Sequence, residues 1–159
     1  MKKQTPIRSG GACHRTDTQT LTVFKALTDT SLVLPFVDQG IKAGFPSPAQ
    51  DYVEQGIDLN KVLIKHPAST FLARVDGDSL YEAGILNGDI VIIDKSLEPR
   101  EGCKVVACID GEYVMKTIRL GKNVFYLVPE NPDYPTITVT PDQQFVIWGV
   151  VTHVIHKLL

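Results

Sequence analysis

Cys103-Lys-Val-Val-Ala-Cys-Ile-Asp-Gly-Glu-Tyr-Val-Met-Lys-Thr-Ile-Arg119 decides the fold. Two runs rich in β-branched and aromatic residues, 103–109 and 112–119, flank Asp110-Gly111, a two-residue signal for a tight β-hairpin. Working outward, further short runs suited to strands recur at 70–75, 89–94, 124–128, 136–139 and 145–155. Turn residues separate them: Asn87-Gly88, Gly121-Lys-Asn123 and the longer Pro129-Glu-Asn-Pro-Asp-Tyr-Pro135. Ser47 placed as N-cap, Pro48 at the first helical position and Gly56 at the stop predict a short helix over 47–55. The expected architecture is mainly β, a compact antiparallel domain with one short helix, preceded by an extended N-terminal arm.

Bulk numbers bound the function. A chain of 159 residues accommodates one buried domain and an appendage. A formal net charge of −2 gives no basic surface for sequence-specific nucleic-acid binding. No apolar run approaches the roughly 20 residues of a membrane-spanning helix. The charged start is followed by no apolar core of a signal peptide. Cys13, Cys103 and Cys108 lack zinc-finger spacing, and an odd separation puts the last two on opposite faces of one strand. Reduced thiols in a cytoplasmic protein are therefore expected. Residues 1–20 are polar and suit disorder, whereas 21–37 carries apolar residues that can dock as an arm. That segment lacks the two-helix pattern of a DNA-reading domain.

The chemistry converges on two positions. The strand 70–75 runs into Asp76-Gly-Asp-Ser79, where Gly77 permits the turn that presents Ser79. Lys116 sits mid-strand, on one face with Val114 and Ile118 by period-2 alternation. A serine hydroxyl is a weak nucleophile until a base takes its proton, and serine–lysine pairs do this without a histidine. Free lysine is about one part in 2,500 neutral at pH 7, so the base must be desolvated. No metal or cofactor is needed for such chemistry, and none is expected. Asp76 and Asp78 flank the serine without a suitably placed histidine, which leaves their side chains turn or capping roles. His66, ahead of Pro67, reads as a loop residue, and His153 and His156 face opposite sides of a terminal strand. Trp148 reads as core or dimer interface.

Gly44-Phe-Pro-Ser-Pro-Ala-Gln-Asp-Tyr-Val-Glu-Gln-Gly-Ile-Asp-Leu-Asn60, His66-Pro67, Gly77-Asp-Ser79 and Val114-Met-Lys116 resemble the LexA/UmuD-like family of serine–lysine self-cleaving peptidases. The likeness runs from about Leu34 to the C-terminus and is closest to the UmuD-like SOS-mutagenesis branch. It implies a homodimer that clips its own arm on meeting the RecA filament on single-stranded DNA. The trimmed form then serves an error-prone Y-family polymerase (UmuC-like) in translesion synthesis. It also implies that the scissile bond is Ala43–Gly44, with Ser79 the nucleophile and Lys116 the general base. The backbone N–H groups of Asp78 and Ser79 are then the candidates for the oxyanion. An arm of residues 1–43 and a peptidase-like domain of 44–159 follow. UmuD-like chains carry cysteine before the scissile bond, where this chain has Ala43. Alternatives are a polymerase-binding protein with a vestigial dyad, or a LexA-type repressor fragment.

Overall fold

The computed structural model describes residues 23–36 and 55–159. Ten strands, one short α-helix and one 3-10 turn are present among them. The main sheet is built on the hairpin of β6 (Lys104–Ile109) and β7 (Glu112–Leu120), whose register pairs Ile109 with Glu112 across Asp110-Gly111. β8 (Phe125–Val128) and β9 (Ile137–Val139) extend it on one side. On the other side lie β10 (Phe145–Ile155), β5 (Ile90–Asp94), β4 (Thr70–Arg74) and β1 (Val23–Lys25). The order is β1-β4-β5-β10-β6-β7-β8-β9, and every neighbouring pair is antiparallel. The mainly antiparallel fold read from the turn spacing is borne out.

β10 is the spine, 11 residues long and paired on both sides. Its register slips between Ile147 and Gly149 against β6, and between Val151 and His153 against β5. Each slip is a bulge that bends and twists the sheet, and two cores form. One joins Ala73, Val75, Leu80, Ile85, Val91, Ile93 and Val106; the other joins Val105, Ala107, Ile109, Ile118, Leu127, Val139 and Val150. Gly149 marks a close approach between β10 and β5, because a Cβ there would lie 2.6 Å from Ile93 Cγ2 and 3.2 Å from Asp94 O.

Two local readings are corrected. Gln55 and Gly56 belong to β3 (Gln55–Asp58), not to the end of a helix, and the rest of the 47–55 prediction lies outside the described residues. The α-helix is α1 (Leu59–Leu63), one turn on, where Asp58 Oδ1 accepts from Asn60 N at 3.1 Å as its N-cap. The described part of the 21–37 segment, read as an arm that can dock, does pair with the rest of the chain: β1 lies along β4 as the edge strand of the main sheet, and β2 (Val33–Phe36) pairs with β3 in a separate ribbon. The proposed boundary at 43/44 is outside the described residues. Cys103 is a free thiol, but Cys108 is disulfide-bonded, so reduced thiols throughout do not hold. Among the described residues no helix is long and apolar enough to cross a membrane.

Candidate active site

Ser79 is placed by the turn after β4. Val75 N donates to Asp89 O (2.8 Å) and Gly88 N to Val75 O (2.9 Å), which ends the strand against the Asn87-Gly88 turn. Gly77 then takes φ +105°, a conformation L side chains rarely adopt, and its N–H donates to Asn87 Oδ1 at 3.2 Å. Leu80, only 1 % exposed, anchors the following residue in the core. Ser79 is thus held half-buried between exposed Asp78 and Leu80, which is fixed in the core.

Lys116 is placed by β7, two strands from the edge, opposite Val105 of β6. It is 7 % exposed, with Ile118 fully buried in the core beside it. Burial pushes its amine below the ordinary lysine range, and the Asp78 carboxylate partly offsets this. Among the described residues no carboxylate forms an ion pair with this amine. Its Nζ lies 4.9 Å from the centre of the Tyr134 ring.

The two sequence-predicted residues meet in one cavity of about 470 Å³, whose walls include Ser79, Lys116, Asp78, Met115, Tyr113 and Tyr134. Ser79 Oγ donates to Met115 O at 3.4 Å, which puts the hydroxyl against the backbone beside Lys116. No direct Ser79–Lys116 hydrogen bond is present. The N–H groups of Asp78 and Ser79 have no acceptor among the described residues. Ala43 and Gly44 lie outside the described residues.

The loop 129–135 braces the site. Glu130 N donates to Ser79 O and Glu82 N to Glu130 O, each at 2.8 Å. The Glu130 carboxylate accepts from Lys104 Nζ (2.6 Å) on β6 and from Thr117 Oγ1 (2.5 Å), next to Lys116 on β7. Those bonds hold that carboxyl below the usual carboxylate range. One residue therefore ties the Ser79 turn to the strand of Lys116. Asp78 is more than a turn residue: its Oδ1 accepts from Tyr134 Oη at 2.5 Å, and its O from Asn131 Nδ2 at 3.0 Å. The only signal available in sequence was the density of Pro and Asn in 129–135, which marks a rigid loop without saying what it holds.

The histidines also acquire partners. His66 Nδ1 lies 2.6 Å from Asp94 Oδ2, and His156 Nδ1 lies 2.6 Å from Asp89 Oδ1, with both aspartates 4 % exposed. They secure the two ends of β5 and stand outside the cavity. His153 contacts Thr152 Oγ1 at 3.0 Å. Trp148 is half-buried against the first core, packed on Phe71 (5.2 Å between centres) and edge-on to Tyr113 (6.2 Å).

The model of the Peptidase S24-like family matches residues 35–152, most of the chain and all of this cavity. The chain belongs to the Peptidase S24-like family. The S24-like chain is 42 % identical to "Protein ImpA" of Escherichia coli over 130 residues, 81 % of its own length and 88 % of that protein's. It is 43 % identical to "Protein MucA" of Escherichia coli over 121 residues, 76 % and 82 % of the two lengths. With "LexA repressor 2" of Xanthomonas axonopodis pv. citri it shares 37 % over 133 residues, 84 % of this chain and 62 % of the repressor. These relatives bear out the LexA/UmuD-like membership and its UmuD-like SOS-mutagenesis branch, and the family places the S24-like chain in the serine-peptidase class.

Proposed function

We propose that the chain is a self-cleaving peptidase whose substrate is its own N-terminal arm, residues 1–43. The observation that carries this is the shared cavity: a half-buried serine beside a lysine whose charge is disfavoured by burial. The neutral Lys116 amine takes the Ser79 proton while Oγ attacks the Ala43 carbonyl carbon. The oxyanion is met by the N–H groups of Asp78 and Ser79, worth about 3–4 kcal/mol for each donor. Lys116 then passes its proton to the Gly44 nitrogen as the Ala43–Gly44 bond breaks. A water deprotonated by the same amine releases the acyl group from Ser79. Because substrate and catalyst share a chain or a dimer, the rate is set by how often the arm is docked.

On this reading a RecA filament on single-stranded DNA accelerates cleavage by favouring the docked arm and supplies no catalytic group. The trimmed homodimer partners a Y-family error-prone polymerase in the cytoplasm. What supports this is the chain's place beside UmuD-like proteins. The test is N-terminal sequencing of the product formed when filament is added: Gly44 is expected at its start, and no product from Ser79→Ala. A cut elsewhere, or an unchanged Ser79→Ala reaction, refutes the assignment. The hydrogen bond of Ser79 to Met115 O, in place of Lys116, favours a second reading, a polymerase accessory with an idle dyad. A chain that stays whole with filament at every pH supports that one.

A further inference from the structure

Lys116 faces a contradiction that the rest of the cavity must resolve. To act as a base it must spend time neutral, yet a carboxylate stands close enough to favour its charged form. That carboxylate is Asp78, on the residue before the nucleophile. It forms no ion pair with Lys116, although both side chains line one cavity. What holds it instead is Tyr134 Oη, donating to Oδ1 at 2.5 Å. The same tyrosine's ring centre lies 4.9 Å from Nζ of Lys116, a residue only 7 % exposed.

Tyr134 is itself held. Its N–H donates to Asn131 O (3.2 Å), Asn131 Nδ2 bonds Asp78 O (3.0 Å), and Asp133 N bonds Asn131 Oδ1 (3.0 Å). The loop therefore grips the Asp78 backbone and carboxylate at once. The other charged or titratable groups lining the cavity are Arg74 and Asp76 on the turn side and Tyr113 on β7. Glu130, behind Thr117, is bonded by Lys104 and Thr117. Asp78 is the acid whose field reaches the amine.

We propose that Tyr134 is a positioning residue of the general base: its hydroxyl restrains the Asp78 carboxylate from pairing with Lys116, while its ring keeps the amine covered. This rests on the peptidase reading and adds a control to it. Losing the hydroxyl frees Asp78 to turn toward the amine and fix it as ammonium. Losing the Asp78 charge removes the threat altogether. Two substitutions in one contact therefore act with opposite sign, which a merely structural contact does not produce.

The experiment follows the Lys116 titration by the 13Cε shift of lysine-labelled Ser79→Ala protein, which cannot clip itself. Tyr134→Phe should move the Lys116 midpoint to higher pH, and Asp78→Asn should move it to lower pH. The double variant should behave as Asp78→Asn does, since no carboxylate remains to release. In chains that keep Ser79, the acidic limb of the cleavage profile should move the same way. At neutral pH, Tyr134→Phe should then slow clipping several-fold. Asp78→Asn, which keeps its backbone N–H, should speed it. Equal midpoints in all four proteins, or a double variant resembling Tyr134→Phe alone, overturn the proposal. A chain that never clips refutes the peptidase reading, and the midpoints still decide this one.

Discussion

Lys116 is costly to bury, and on the proposed reading that cost is what makes its amine a base. Its folded value is lowered by burial, so between that value and the ordinary lysine range the unfolded chain binds more protons than the folded one. Stability from this group therefore rises with pH across that window, and the penalty is full below it. Lys116→Met should raise Tm at neutral pH, with a gain that narrows as the pH nears about 10.4, the free lysine value. It should also abolish clipping; melting curves and intact mass check the two outcomes. Asp94 shows the opposite sign. Burial pushes its carboxyl up, but bonds from Ser96, His66 and Ser69 outweigh this and hold it low. Its contribution is present above the free aspartate value and is lost as pH falls through the folded one. Asp94→Asn should cost about 1–3 kcal/mol near neutrality, by chemical denaturation, and less in acid. Neither histidine partner was legible in the sequence. His66 meets Asp94 28 positions away and His156 meets Asp89 67 away, and no local pattern encodes such contacts.

At the scale of elements, the strands from β4 to β10 were legible because turn residues punctuate them. Asn-Gly, Asp-Gly and the proline loop act on neighbouring residues alone. β1 and β2 were not, since three or four residues carry little periodicity and their partners lie on distant segments. β2 also contains Pro35, which demotes a strand reading. α1 was missed because its cap, Asp58, closes a strand that reads locally as the end of the preceding helix. The bulges of β10 give an element-level prediction. Gly149→Ala puts a methyl against Ile93 and the Asp94 carbonyl, and should destabilise by about 1–3 kcal/mol in urea unfolding. Glu130→Ala should slow clipping, since it unties Lys104 and Thr117 from the loop that holds Ser79. Glu130→Gln, which keeps an acceptor for both, should restore most of the rate; timed intact mass compares them.

For the whole molecule, the sheet's main achievement is to bring positions 79 and 116 into one cavity from opposite halves of the strand order. Their candidacy was legible from residue type and family likeness; the loop that restrains them was not, because it acts through backbone bonds and one tyrosine. On the proposed reading, deprotonating Lys116 switches on Ser79. The self-cleavage rate without filament, followed by intact mass between about pH 6 and about pH 10, decides this. The expected result is a rate that climbs with pH as a single group titrates, levels off, and vanishes in both Lys116→Ala and Ser79→Ala. A rate independent of pH, or a Lys116→Ala chain that clips as the parent does, would contradict it.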